Sequence, residues 1–309
     1  MPNFGGSRLG FWYKNSIPTF DPNRRSAQKS NTTILIVGDV PENEYTFRPG
    51  THPNEGEWNN GAYGYMNGTR VDARAEMLKL YGQFSKTANR LGYKTEYAPS
   101  YSDLINKFSN KITDYPMIID MAWDSYLGPR NPVRADTIGP AVANLYERAL
   151  QGGAGILLHG EVKTVDQRNQ AICDFITLMG GANPPQTIAS SIYNNPFGPE
   201  KNVEIGPEFL LVNTKATMDL AASARFITDR NNPPYGLGKG TRMLYYTMTQ
   251  YTPRQYGVYG AMWKKNALKY PKAAIMAIFD ITYVNDYGAS LVSQQTQFME
   301  NMIVSLDTL

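Results

Sequence analysis

The chain has 309 residues, 42% hydrophobic and 18% charged, with 27 Gly, 20 Pro, 21 Tyr and a single cysteine. That length can bury a full core, one cysteine excludes an internal disulfide framework and any multi-cysteine zinc site, and no apolar run reaches the roughly 18 residues that span a bilayer. Net charge is +3, but Arg8, Lys14, Arg24, Arg25 and Lys29 against Asp21 give residues 1–31 a charge of +4, so the remainder is −1. A near-neutral body without a basic stripe excludes a dedicated nucleic-acid binder, whose affinity rests on phosphate neutralisation.

Residues 1–31 show neither helical nor alternating periodicity and read as an extended arm. Phe4, Phe11, Trp12, Tyr13 and Phe20 lie among Gly5-Gly6, Pro18 and Pro22. Solvated tails are poor in aromatics, so Phe11, Trp12, Tyr13 and Phe20 are contact candidates, laid either on this molecule or on a neighbour. No apolar signal-peptide core is present, and the expectation is a cytoplasmic protein or one incorporated in a larger assembly.

From Thr32 an α/β rhythm begins. Residues 33–38 form a short apolar run ending in Gly38-Asp39, as a central parallel strand does. About thirty polar residues follow, far longer than the usual βα connection. Trp58, Tyr63 and Tyr65 make this 40–70 stretch a second contact candidate. Thr69 and Asp72 resemble a capping box opening a helix whose stripe is Met77, Leu80, Tyr81, Phe84, Ala88 and Leu91, stopped by Gly92. Residues 94–98 predict a strand, Ser102 to Ile112 a helix and 117–122 a third strand.

Ile138 to Leu150 predicts a helix stopped by Gly152-Gly153, feeding the strand at 155–159. Asp166 to Met179 predicts another, stopped by Gly180-Gly181, with Cys173 as a small buried apolar group in mid-helix. Between about 184 and 271 the pattern turns β-rich: Phe209 to Val212 and Arg242 to Met248 read as strands between turn-rich clusters. Gly236, Gly238 and Gly240 lack the strand-then-helix setting of a phosphate loop and read as a surface turn. The parallel rhythm resumes at 273–279, and a last helix carries Leu291, Phe298, Met302, Ile303 and Leu306. The fold expected is therefore α/β: a flavodoxin-like, mainly parallel sheet with helices on both faces, plus a β-rich insertion.

Strand ends set the candidate site. Asp39, Asp120, Asp124, His159, Glu161 and Asp280 all fall at or just after predicted strand ends, where chemistry collects in parallel α/β sheets. As an enzyme the chain would use His159, Glu161, Asp39 and Asp280 for acid–base work. The competing reading is that these aspartates satisfy turn backbone groups and that His159 is structural, its ring bonded to a neighbouring backbone or carboxylate group. Scattered carboxylates and one histidine have no metal-ligand spacing, so no metal and no cofactor are expected.

Gly152-Gly153-Ala154-Gly155-Ile156-Leu157-Leu158-His159-Gly160-Glu161 resembles the glycine-rich strand and His-Gly turn of ThuA-like proteins in the class I glutamine amidotransferase-like superfamily. Ala274 to Asp280, with Asn285-Asp286 and the helix from Leu291 to Leu306, is similar to the closing strand and helix of GIFT-type domains. The likeness covers 32–181 and 272–307 and implies an amidotransferase-like domain over 32–309. Phe279 stands where those domains carry glycine. Cys173 falls on a helix and the only histidines are His52 and His159, so a Cys-His-Glu triad cannot be assembled and glutaminase chemistry is excluded. Two functions stay open: a non-catalytic structural or assembly protein, a virion subunit among the candidates, with protein partners or self-association through the arm and the 40–70 loop; and a ThuA-like hydrolase or carbohydrate-binding enzyme.

Overall fold

The computed structural model describes residues 32–38, 63–66, 69–72, 84–122, 138–160, 166–181, 200–205, 217–220, 226–229, 241–247, 255–278 and 292–308. Five segments become parallel strands, four of them buried apolar runs and β4 only partly buried: β1 (Thr33–Val37), β4 (Lys94–Ala98), β5 (Met117–Asp120), β6 (Gly155–His159) and β12 (Ala274–Ile278). Their spatial order is β4-β1-β5-β6-β12, with every neighbouring pair parallel. Ranked along the chain this is 2-1-3-4-5, the flavodoxin-like winding, whose order reverses between β1 and β5.

Both faces of β1, β5, β6 and β12 are covered, which is why they read as unbroken apolar runs instead of alternating ones. On one face Leu35, Val37, Ile118, Ile156, Leu158, Ile275 and Ala277 join a core with three helical segments. These are α2 (Tyr101–Asp103), continued without a break by a π-turn and a 3-10 turn to Asp114, then α3 (Ile138–Gln151) and α4 (Asp166–Leu178). Ile34, Ile36, Ile119, Leu157, Met276 and Ile278, also buried, belong to the other face, covered by α1 (84–90) and α5 (Val292–Thr308). A Cβ on Gly155 would meet Leu306 of α5 at 3.1–3.3 Å. Arg90 of α1 pairs with Glu300 of α5 at 3.1 Å. Each fully buried aliphatic side chain contributes about 1.5–3 kcal/mol.

Helix ends follow the glycines. At the end of α3, Ala154 N donates to Ala149 O (3.0 Å) and Gly153 N to Leu150 O (2.8 Å), with Gly153 at φ +84. That is a Schellman closure, and it needs the left-handed backbone that only glycine adopts without cost. The same pair of bonds closes α1 and α4. Cys173 is fully buried, the small apolar filler its position implied.

The β-rich stretch extends the same sheet. β7 (Glu200–Ile205), β8 (Thr217–Leu220), β10 (Thr241–Thr247) and β11 (Gln255–Trp263) continue the order beyond β12 as an antiparallel wing, and β9 (Phe226–Asp229) pairs with the first half of β11. Among the described residues the resulting sheet has ten strands. In one row across it lie His159, Ile278, Gly260 and Leu244. Residues 255–259 of β11 therefore run past the carboxyl ends of the parallel strands.

Two expectations are corrected. Thr69 and Asp72 do not open a helix: Thr69–Asp72 is strand β3, paired antiparallel with β2 (Tyr63–Met66). Its register, Met66 opposite Thr69, leaves Asn67-Gly68 between the strands, the strongest short hairpin signal, which outweighs a Thr-x-x-Asp match. The long connection after β1 is accordingly not loop throughout, since Tyr63 and Tyr65 sit in β2. The segment from Ser102 to Ile112 is helical but unevenly wound, passing from α to π to 3-10. Phe209 to Val212, the Gly236 to Gly240 cluster, and the contact candidates Phe11, Trp12, Tyr13, Phe20 and Trp58 lie outside the described residues.

Candidate functional site

The carboxyl ends of β5 and β6, beside the reversal between β1 and β5, hold Asp120 and His159. Both are fully buried. Parity along the strands sends their side chains to opposite faces of the sheet. Asp120 shares the parity of Ile118 and turns toward α2 and α3; His159 shares that of Leu157 and meets Phe84 of α1 edge-on, with ring centroids 6.0 Å apart.

Asp120 is a junction. Its Oδ2 accepts from the hydroxyls of Tyr101 (2.7 Å) and Tyr146 (2.9 Å), and Oδ1 accepts from Ala122 N (2.8 Å). A buried carboxylate is tolerable when its lone pairs are met in this way. The bond to Ala122 is the turn-backbone role foreseen for strand-end aspartates. Tyr101 reaches Asp120 from the start of α2, a turn fixed by Ser100: its Oγ accepts from Asp103 N (3.1 Å) and donates to Asp103 Oδ2 (3.0 Å). Tyr146 arrives on the buried stripe of α3 with Val142 and Ala149.

His159 meets Asp120 through the latter's backbone. Its Nδ1 lies 2.8 Å from Asp120 O. A carbonyl cannot donate, so Nδ1 carries the hydrogen and Nε2 of the neutral ring holds the lone pair. The ring is thus bonded to a neighbouring backbone group, as the sequence suggested, while carboxylate and imidazole lie on opposite faces of the sheet. Gly38, Met121, Ala122 and Gly160, which complete this end of the sheet, are buried as well. Asp39, Asp124, Glu161, Asp280 and His52 lie outside the described residues. Among the described residues, no group of three or more His, Cys, Asp or Glu is placed to hold a metal ion.

Sequence reasoning missed Tyr101, Tyr146 and Phe84. The available signal was chemical: a tyrosine on an apolar helix stripe has a hydroxyl that must find an acceptor, and a strand-end aspartate is one.

Two further carboxylates tie elements together away from this edge. Glu96 of β4 accepts from Lys111 Nζ (2.6 Å) and from the Tyr115 hydroxyl (2.5 Å). Those bonds hold the Glu96 carboxyl below its ordinary range, while burial, then Glu96 itself, pushes the Tyr115 phenol up. Glu147 of α3 accepts from Lys269 Nζ (2.6 Å) and Tyr270 (2.8 Å), which lowers Glu147 and raises Lys269 and Tyr270.

The class these elements define is a flavodoxin-like α/β protein with an antiparallel extension of its sheet. No protein-family model matches the chain, and no curated protein matches it in sequence. Among solved structures it is similar to the mmIFT52 N-terminal domain at 13% identity and a TM-score of 0.44, over 90% of this chain and 98% of that one. It is also similar to Cytoplasmic Protein STM3548 from Salmonella typhimurium at 8% identity and a TM-score of 0.44, over 88% and 98%. Likeness of that order assigns neither a family nor an activity. No helix among the described residues is long and apolar enough to cross a membrane.

Proposed function

We propose that this chain is a non-catalytic structural or assembly protein on a degenerate glutamine amidotransferase-like fold, located in the cytoplasm or built into a large assembly such as a virion. One observation carries the reading: of the strand-end groups, the two among the described residues are buried and hydrogen-bonded internally, Asp120 to two tyrosines and a turn amide, His159 to a backbone carbonyl. A general base must reach the proton it abstracts, and neither group is exposed to one. The aromatic, +4 arm and the 40–70 stretch supply the contact surfaces, toward protein partners or a second copy. The test is sedimentation of the full chain against a chain starting at Asn31. A large assembly that collapses to a small species on truncation is expected; a full chain that sediments as a small species would overturn the reading.

A second reading has one observation in its favour. The Nδ1 bond to Asp120 O orients His159 as base or ligand histidines are oriented, with Nε2 as the acceptor. On that reading the chain is a ThuA-like hydrolase or carbohydrate-binding enzyme using His159, Glu161, Asp39 and Asp280. Saturable turnover of a sugar or ester substrate, abolished by His159→Asn or Glu161→Gln with folding intact, would establish it in place of the first.

A further inference from the structure

We draw no further inference here: the strongest candidate, the tyrosine-rich antiparallel ribbon of β9, β11 and β10 that stands beyond the carboxyl ends of the parallel strands, carries nothing because nothing in the structure shows what covers it.

Discussion

His159 Nδ1 donates to the backbone carbonyl of Asp120 at 2.8 Å, while the two side chains pack on opposite faces of the sheet. Replacing the imidazole therefore tests its packing against Phe84 and the bond to the Asp120 carbonyl. His159→Ala is expected to lower unfolding stability by about 2–4 kcal/mol, through a lost bond and a cavity beside Phe84. His159→Asn, which keeps a donor near the Nδ1 position, costs about 1–2 kcal/mol. Denaturant unfolding followed by circular dichroism measures both; equal losses for the two variants would mean that the bond contributes nothing.

The carboxylate of Asp120 is the more demanding position. Asp120→Ala leaves the hydroxyls of Tyr101 and Tyr146 and the Ala122 amide without their acceptor, at a cost of about 3–5 kcal/mol. Tyr101→Phe and Tyr146→Phe each cost about 1–2 kcal/mol. Because the groups share one network, adding either phenylalanine to Asp120→Ala costs less than it does alone. Strict additivity in a double-mutant cycle would show that the tyrosines are held by packing and not by the carboxylate.

Stability is expected to fall at both ends of the pH scale. Glu96 and Glu147 are lowered in the folded state, so what they contribute is complete above the unfolded carboxyl value of about 4.3 and is lost as pH falls through the folded value. Lys269 is raised, so its contribution is complete below its unfolded value of 10.5 and is lost as pH rises through the folded one. Tyr115, also raised, acts in the same alkaline direction. The ion pairs are partly exposed, and each is worth no more than about 1 kcal/mol. Melting temperature measured across pH should show a shallower acid limb for Glu96→Gln and for Glu147→Gln; an acid limb of unchanged slope in both would refute the assignment.

Gly153→Ala forces a side chain into φ +84, and its Cβ would lie 3.2 Å from Lys272 Cβ. The strain is worth about 1–2 kcal/mol. Gly152→Ala, one residue earlier, has no positive φ to pay and should cost less, although its Cβ would sit 3.2 Å from Thr113 O. Thermal denaturation of the pair separates backbone strain from crowding, and a larger loss for Gly152→Ala would reverse their ranking.

Four of the parallel strands were legible in the sequence because a strand buried on both faces is written as an apolar run, and Ile34 to Val37, Met117 to Ile119 and Ala274 to Ile278 are such runs, whereas β4 is partly exposed and carries no such run. The glycine stops were legible for the same kind of local reason. Pairing was not: that β11 lies antiparallel beside β12 follows from tertiary packing, and strands rich in Tyr and Gly carry little periodicity. Thr69 and Asp72 misled because a capping pattern and a hairpin flank can share the same residues, and only Asn67-Gly68 separates them. At the site, Asp120 and His159 could be named from their place at strand ends. Their partners Tyr101 and Tyr146 lie 19 and 26 residues from Asp120, on two different helices, and nothing local links them.

Strand β12 stands between β6 and β11 and, among the described residues, is the link between the parallel strands and the antiparallel wing in the strand order. During synthesis, β1, β4, β5 and β6 emerge first and the wing follows, yet neither can complete its ladder until residues 274–278 arrive to fill the gap. The nascent chain therefore carries an open strand edge on β6 while residues 160–273 are made, whereas β11 waits only through 264–273, and the long-range pairing of β6 with β12 slows folding and invites contact with other chains.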